Sequence, residues 1–386
     1  MNALRLNGTL LLFILANILN MLFPKGMGYE EQTGLAYELS KYVYGLCIVI
    51  MLPSLFIPKK LYFNNMKFMA IVVILHILLA TLLNFDFLIG DYLKTILICL
   101  SFVFFEEMSE KVRFNKIILY AFAFSVYINV SYLVLTQNRF ETAIDNDGLI
   151  YGGQSIANSM VFLLPLLFAI QKGKLSSYMY LFGFLVVLVS LRRTSILAYI
   201  LCAPFVFKQL TNNISKIFIT ISIVMLLILI WYVVSNYWYI IEMRFGDMFQ
   251  ESAHGTYGSG RSGWWGALIE EFLMSPSHWF QGFGLGQVTI YMANAGYPYG
   301  HAHNDYIEIG FTYGFIGLYL WFVTIKRIWA LSSNKITKGS TPLIRMCVIS
   351  YLFIAFVSGA TYDPQFVCIP IFCALMFEQK SSLLIK

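Results

Sequence analysis

The chain has 386 residues, of which 59% are hydrophobic and only 12% are charged, and its mean hydropathy is +0.72. A soluble domain carries about 25% charged residues, so this composition excludes a soluble globular protein and predicts an integral membrane protein. All six cysteines fall inside apolar segments, so we expect small buried hydrophobic side chains and no disulfide framework.

Apolar windows long enough to cross a hydrocarbon core recur along the whole chain. We predict about twelve transmembrane helices, near 8–24, 36–57, 67–84, 90–105, 116–136, 155–171, 175–191, 193–208, 216–236, 304–325, 343–359 and 362–378. No small-residue cleavage site follows the first of them, so we expect it to be retained and not removed as a signal peptide. The predicted fold is one all-α polytopic membrane domain over 1–386, with a large insertion at 237–302 between spans nine and ten.

The distribution of lysine and arginine orients these predicted helices. Basic residues collect in cytoplasmic loops, and a cytoplasmic N-terminus places most of the 26 basic residues on that side. The exceptions are Lys25, Lys41, Lys94, Arg139, Arg192, Arg193, Arg244 and Arg261. We therefore predict that both termini are cytoplasmic and that the insertion faces outward.

Three of these outward arginines, Arg192, Arg193 and Arg261, need a reason for their position. An arginine at a helix centre is unfavourable by about 2.5–3.5 kcal/mol on insertion scales, so arginines at the mouth of two spans favour a wet cavity or a bound anion. The structural alternative is that their long side chains reach lipid headgroups. For Arg193 we favour the functional interpretation, and for Arg192 both stay open.

The insertion contains an amphipathic segment followed by a glycine-rich one. Residues 264–274 have helix-like spacing of apolar residues, and a Ser-Pro-Ser sequence ends them. We expect Trp264 and Trp265 to anchor this helix at the membrane interface. The alternative is that their rings stack on sugar rings. The Gly-Phe-Gly-Leu-Gly sequence at 282–286 could bring backbone N–H groups to an anion. No Walker lysine follows it, so we predict a plain turn.

A polar segment that includes His303 leads directly into the start of the tenth predicted span. Asn304 or Asp305 is a candidate N-cap, since short polar side chains accept hydrogen bonds from free backbone N–H groups. A continuous helix places three glycines on the same stripe as His303, where they allow close packing; they are Gly310, Gly314 and Gly317. An imidazole, with an ordinary pKa near 6.5, can accept a proton from a hydroxyl or hold that hydroxyl in place. The structural alternative is an interfacial histidine bonded to a loop carbonyl.

These residues resemble the signature of the O-antigen polymerase and O-antigen ligase family. The signature has a histidine and an asparagine, then nine residues, then Gly-x-x-Gly, and it is met by His303, Asn304, Gly314 and Gly317. Two further elements are similar, namely Arg193 with Leu197 four positions later and Gly260-Arg261 before the amphipathic segment. The resemblance covers residues 191–322.

The resemblance implies a GT-C-like fold and glycosyl transfer on the periplasmic side of a bacterial inner membrane. The donor glycan would be carried on undecaprenyl pyrophosphate, without a nucleotide sugar, metal or other cofactor. We favour an O-antigen polymerase, which passes the growing glycan to the non-reducing end of a lipid-linked repeat; the alternative is an O-antigen ligase, which passes it to the lipid A core. The expected partners are the lipid-linked oligosaccharide, membrane lipid and a chain-length regulator protein, and no nucleic acid.

The resemblance also implies catalytic roles for Arg193, Arg261 and His303. The two guanidinium groups would bind the pyrophosphate leaving group, and His303 would orient or deprotonate the acceptor hydroxyl. Further substrate contacts are expected from Arg192, Asn304, Asp305, Tyr306 and Glu308. Asp305 and Glu308 are alternative bases, although Asp305 also suits a helix N-terminus. The histidines lack the spacing of zinc ligands, so no metal site is predicted.

A lipid-linked sugar flippase is a third interpretation. Transporters often have duplicated halves and broken helices near the membrane midplane. The sequence predicts neither feature, since the charged groups cluster at the outer ends of the predicted spans and the one large insertion is asymmetric. Acceptor recognition is expected in the outward loop at 136–153 and in the insertion at 238–300.

Overall fold

In the computed structural model, every regular element of the described part of the chain is a helix. The structure describes residues 2–22, 35–57, 63–82, 89–112, 115–136, 157–170, 174–190, 192–213, 261–296, 302–331 and 341–357, with four single helical positions between 224 and 235. The helices are α1 (Asn2–Leu22), α2 (Leu35–Met51), α3 (Asn64–Leu82), α4 (Ile89–Lys111), α5 (Lys116–Thr136), α6 (Ala157–Ile170), α7 (Lys174–Val189), α8 (Arg193–Asn213), α9 (Arg261–Met274), α10 (Gln287–Asn294), α11 (Asp305–Leu331) and α12 (Thr341–Val357). Short 3₁₀ turns occupy Leu52–Phe56 and Pro276–His278.

These helices confirm an all-helical, apolar architecture. Ten of the twelve predicted spans overlap one of them; the other two, 216–236 and 362–378, lie outside the described residues apart from single positions in the first. Three described helices are long and apolar enough to cross a membrane, within Asn2–Leu19, Lys116–Leu135 and Asp305–Ala330, and six shorter apolar segments accompany them. The number of spans and the side on which the insertion lies stay predictions.

The helices carry apolar side chains on their outer faces as well as in the core. Along α1, for example, Leu4, Leu11, Leu15 and Ile18 are exposed, while Leu10 and Phe13 are fully buried. A helix that is apolar all round belongs in a protein core or in a membrane. Together with the composition, these exposed faces identify an integral membrane protein.

Polar contacts at one end of the bundle show that successive helices alternate in direction. Arg5, near the start of α1, donates to the Ile50 carbonyl at the end of α2 at 3.0 Å and lies 3.8 Å from Glu107 at the end of α4. Asn65, at the start of α3, donates to Thr324 Oγ1 near the end of α11 at 2.6 Å. We call this side of the bundle the Arg5 end.

Helix α5 also starts at the Arg5 end. The rings of Phe13 and Phe122 lie 6.4 Å apart, and one turn further on Asn17 Nδ2 donates to Ser125 Oγ at 3.0 Å. Because these contacts follow the same order, α5 runs parallel to α1. The carbonyl of the last residue of α6 accepts from Tyr120 in the first turn of α5 at 3.1 Å, so α6 ends at the Arg5 end.

The starts of α6, α8 and α11 therefore share the opposite side, which we call the His303 end. Ser195 in the first turn of α8 donates to Asn158 Oδ1 in the first turn of α6 at 2.6 Å. Tyr306 in the first turn of α11 lies 3.5 Å from the carbonyl of Leu352 near the end of α12. Arg192 and Arg193, which precede and begin α8, thus lie at the same end as His303.

Helix α11 is broken at Gly314, where φ is 66° and ψ is −165°. The prediction of one continuous helix with Gly314 on a packing stripe is therefore wrong. The peptide groups around the break are bonded to the turn at 279–284 instead: the Phe315 N–H donates to the Trp279 carbonyl at 2.7 Å, and the Phe283 N–H donates to the Phe311 carbonyl at 2.8 Å. Non-helical backbone at membrane depth is stable only when its polar groups are satisfied in this way.

The glycine-rich segment of the insertion forms the turn that the sequence predicts, and it docks on this break. Gly282 has a φ of +73°, and a Cβ there would collide with the Thr312 backbone; a Cβ at Gly314 would collide with the Phe280 backbone. Two glycines far apart in sequence thus allow two backbone segments to meet. The insertion and α11 form one packed unit as a result.

Candidate functional site

His303 lies in a short loop whose preceding residue is held by two neighbouring helices. The Ala302 N–H donates to Glu308 Oε2 of α11 at 2.7 Å, and the Ala302 carbonyl accepts from Trp265 Nε1 of α9 at 2.7 Å. Ala302 itself is fully buried. We call these two hydrogen bonds the Ala302 clamp. The clamp fixes the backbone on which the histidine is mounted.

The backbone of His303 is in the left-handed region, with a φ of 52°. A residue other than glycine adopts this conformation at a cost of about 1–3 kcal/mol, and it persists only where the surrounding structure imposes it. The Ala302 clamp on one side and the start of α11 on the other supply that constraint. Strain held in this way is typical of functional sites.

Asn304 is the N-cap of α11, one of the two residues that the sequence proposed for this role. Its Oδ1 accepts from the N–H groups of Tyr306 at 3.0 Å and Ile307 at 3.3 Å. Asp305 is the first helical residue and is fully buried, where a negative charge favours the helix N-terminus. Asn304 and Asp305 therefore shape the loop, whatever contact they make with a substrate.

Trp264 packs inside the protein, and the prediction that it rests on the membrane interface is wrong. It is only 6% exposed and belongs to a small core with Leu268, Val288, Met292, Ala302 and Phe311. The ring of Phe272, two turns further along α9, meets Phe315 beyond the break in α11 at 5.4 Å, so α9 runs alongside α11. The ring of Trp265, which is partly buried, lies 6.1 Å from that of Phe356 in α12, and its N–H donates to the Ala302 carbonyl in the loop before α11.

Arg261 begins α9 one helical turn before Trp265, so its backbone lies close to the His303 loop. Arg193 begins α8 at the His303 end, and the N–H of Arg192 donates to Ser190 Oγ at 3.3 Å. The structure therefore brings the backbones of the three predicted catalytic residues to one end of the bundle. His301 and the side chains of Arg193 and Arg261 lie outside the described part of the chain.

A cavity of about 160 Å³ lies next to the His303 loop, between α3, α4, α10 and α11. Its polar lining groups are Thr95, Thr289, Glu308, Thr312 and Tyr313. The Tyr313 hydroxyl lies 3.5 Å from Thr95 Oγ1. Glu308 lines the cavity and also accepts the hydrogen bond from Ala302, so the cavity and the histidine loop share one carboxylate.

Sequence reasoning singled out Glu308 but missed Trp265 as a hydrogen-bond donor and both Thr95 and Thr289. The threonines come from segments far apart in the chain, and no local pattern joins them. Trp265 was noticed for its aromatic ring, while its N–H, which needs an acceptor when buried, was the more informative feature.

Among the described residues, no group of three His, Cys, Asp or Glu side chains is placed to hold a metal ion. Three of the cysteines, Cys47, Cys99 and Cys202, are buried free thiols, as predicted. The other three lie where side chains are not described.

A comparison with curated proteins finds no match to this chain. A comparison with protein families matches residues 178–322 to the family described as O-antigen ligase. The matched stretch runs from α7 into the second half of α11 and contains Arg193, Arg261, the Ala302 clamp and His303. Residues 178–322 of the chain are thus similar to the O-antigen ligase family, and this match confirms the resemblance to O-antigen polymerases and ligases that the motifs predicted.

Proposed function

We propose that the protein is an O-antigen polymerase of a bacterial inner membrane. It transfers the growing glycan from undecaprenyl pyrophosphate to the non-reducing end of a lipid-linked repeat unit on the periplasmic side. One observation carries this proposal: inside the matched stretch, Trp265 ties the His303 loop to the helix that Arg261 begins, at 2.7 Å from the Ala302 carbonyl. This hydrogen bond places a histidine and an arginine suited to glycosyl transfer on one packed unit.

The chemistry assigns a separate task to each group. The acceptor hydroxyl oxygen forms a bond to the anomeric carbon of the donor as the bond from that carbon to the pyrophosphate oxygen breaks. His303 orients the hydroxyl and takes its proton, and the electron pair leaves with undecaprenyl pyrophosphate. Arg193 and Arg261 stabilise the negative charge on that leaving group, since a guanidinium fork binds phosphate oxygens in pairs.

Glu308 and Trp265 act on the reaction through the backbone. The Ala302 clamp holds the left-handed conformation of His303, so the imidazole is positioned before substrate arrives and needs little rearrangement afterwards. Arg192, Asn304, Asp305 and Tyr306 complete the proposed substrate-binding surface around this loop. A chain-length regulator is the protein partner proposed for this polymerase.

A ligase is the second candidate, and it is favoured by the match to a family described as O-antigen ligase. The donor and the tasks of His303, Arg193 and Arg261 would be the same. Only the acceptor would differ, a sugar of the lipid A core in place of a lipid-linked repeat.

A flippase is the third candidate, and the break at Gly314 removes one argument against it, since transporters also use broken helices. The break in this chain is sealed by the turn at 279–284, through hydrogen bonds such as that from the Phe315 N–H to the Trp279 carbonyl. A sealed break supports a rigid site better than a moving gate.

Deletion of the gene separates the three functions. Lipopolysaccharide is extracted from the deletion strain and run on a gel beside the parent. A core carrying a single repeat is the expected result for a lost polymerase. A bare core with lipid-linked polymer retained would identify a ligase, and repeats trapped facing the cytoplasm would identify a flippase.

Complementation with variants then tests the residues. Losing one charge-assisted hydrogen bond of about 1.5–3 kcal/mol lowers the rate by roughly tenfold to a hundredfold, so Arg193→Ala and Arg261→Ala should shorten or abolish the ladder, as should His303→Ala. Full ladders from all three, at normal protein levels, would reject the proposed site.

A further inference from the structure

We propose that the cavity beside the His303 loop binds one uncharged sugar ring of the acceptor glycan. This inference rests on the proposed function and adds the place where the acceptor is recognised. The cavity has a volume of about 160 Å³, roughly ten times the 10–15 Å³ that a single water molecule needs by the same measure, so it has room for a group much larger than water.

The charge of the lining residues indicates whether the cavity binds the acceptor glycan or the pyrophosphate-linked donor. Of the described lining residues, none is Lys, Arg or His, and the one carboxylate is Glu308. The described lining therefore offers no basic side chain to a pyrophosphate. Sugar hydroxyls donate to a carboxylate, and they can both donate to and accept from the hydroxyls of Thr95 and Thr289. The lining therefore fits a neutral polyhydroxyl ring and disfavours the phosphate part of the donor.

The apolar part of the lining fits the other face of a sugar. Met69, Ile98, Leu320 and Trp321 are among its apolar lining residues. The indole of Trp321 is held by a hydrogen bond from its Nε1 to the Tyr351 hydroxyl at 3.0 Å. Rigid aromatic surface offers contact area to the C–H groups of a ring at little conformational cost.

The position of the cavity links this ring to the reaction. Glu308 reaches the cavity and, through its Oε2, the Ala302 N–H at 2.7 Å. A ring bound at Glu308 therefore contacts the carboxylate that holds Ala302, the residue directly before His303. The cavity is built by α4, α10 and α11 together, and α10 belongs to the predicted acceptor region at 238–300. Both a polymerase and a ligase would use it, because each has a sugar hydroxyl as acceptor.

The first test removes hydroxyls from the lining without touching His303. Thr95→Val and Thr289→Val delete one hydrogen-bonding group each, while Thr9→Val is the matched control, since the Thr9 hydroxyl bonds to the Arg5 carbonyl at the far end of the bundle. The substrate is the single lipid-linked repeat isolated from cells that lack the gene. We expect the KM for this acceptor to rise about three- to tenfold in both lining variants, with kcat changed less than twofold and Thr9→Val unchanged. Equal KM values in all three variants and the parent would overturn the subsite.

The second test needs no turnover, because Cys99 lines the cavity while Cys202 is buried elsewhere. Two proteins are made, each keeping only one of these cysteines, and the rate of labelling by methyl methanethiosulfonate is measured with and without the lipid-linked repeat. We expect the repeat to slow labelling of Cys99 at least fivefold and to leave Cys202 unaffected.

The two proposals fail in distinguishable ways. If the parent protein extends glycans but Cys99 is unprotected by saturating repeat, the subsite is overturned and the polymerase stands. If Cys99 is protected but no glycan is transferred, the polymerase is overturned and the chain binds the sugar for another purpose.

Discussion

At the scale of single residues, the Ala302 clamp determines the position of the His303 backbone. Its two bonds, from the Ala302 N–H to Glu308 and from Trp265 to the Ala302 carbonyl, are both 2.7 Å long. His303, Glu308 and the N-cap Asn304 could be singled out from the sequence, because each belongs to a local pattern around a helix start. Trp265 could not be predicted as the partner of Ala302, since 37 residues separate them in the chain.

Replacing Trp265 with phenylalanine keeps a ring and removes the N–H donor. The Ala302 carbonyl would be left without this donor at a cost of about 1–3 kcal/mol, and the His303 loop would lose one of its two anchors. We expect a lower apparent Tm and a drop in transfer rate of tenfold or more. Trp279→Phe is the matched control, because Trp279 Nε1 donates to the Phe272 carbonyl at 2.9 Å away from His303. A similar loss of rate in both variants would show that the clamp has no special part in catalysis.

At the scale of elements, the break in α11 shows what hydrophobic periodicity can and cannot reveal. Windows of apolar residues located the helices well, because a membrane demands long apolar segments with internal hydrogen bonds. The spacing of the glycines in α11 predicts a packing stripe, which is their commoner use between membrane helices. Gly314 is instead needed for its positive φ and for the approach of residues 279–284, a partner that no local pattern discloses.

Alanine substitution distinguishes these two uses of glycine. Gly314→Ala introduces a Cβ into the Phe280 backbone at a positive φ, so it should destabilise the protein by at least about 2 kcal/mol. Gly266→Ala, at a helical position of α9 with open space around it, should leave stability unchanged or raise it by up to about 1 kcal/mol. Apparent Tm values from tryptophan fluorescence in detergent compare them. A Gly314→Ala protein as stable as the parent would mean that α11 can run straight through.

At the scale of the whole molecule, the alternating helices gather Arg192, Arg193, Arg261 and His303 at one end of the bundle. The rule that basic residues stay in the cytoplasm predicts this end to be periplasmic. The alternating direction of the described helices was thus predictable from charge and hydropathy. The cavity was not, since it depends on how α3 and α4 pack against an insertion about 190 residues further along the chain.

Thiol labelling tests this orientation. Asn294, at the end of α10, and Lys174, at the start of α7 on the Arg5 end, are both exposed. With a membrane-impermeant reagent, we expect Asn294→Cys to react in cells whose outer membrane is permeable and Lys174→Cys to react only after lysis. The reverse pattern would place His303 in the cytoplasm and remove the lipid-linked donor from its reach.

Reconstitution tests the central claim most directly. The purified chain is placed in liposomes with lipid-linked repeat units isolated from the deletion strain, and the products are separated by size. We predict a ladder of longer lipid-linked glycans, formed without nucleotide sugar and abolished by His303→Ala in a protein that still folds. Repeats that stay at single length with the parent protein, or a ladder that persists in His303→Ala, would contradict the account.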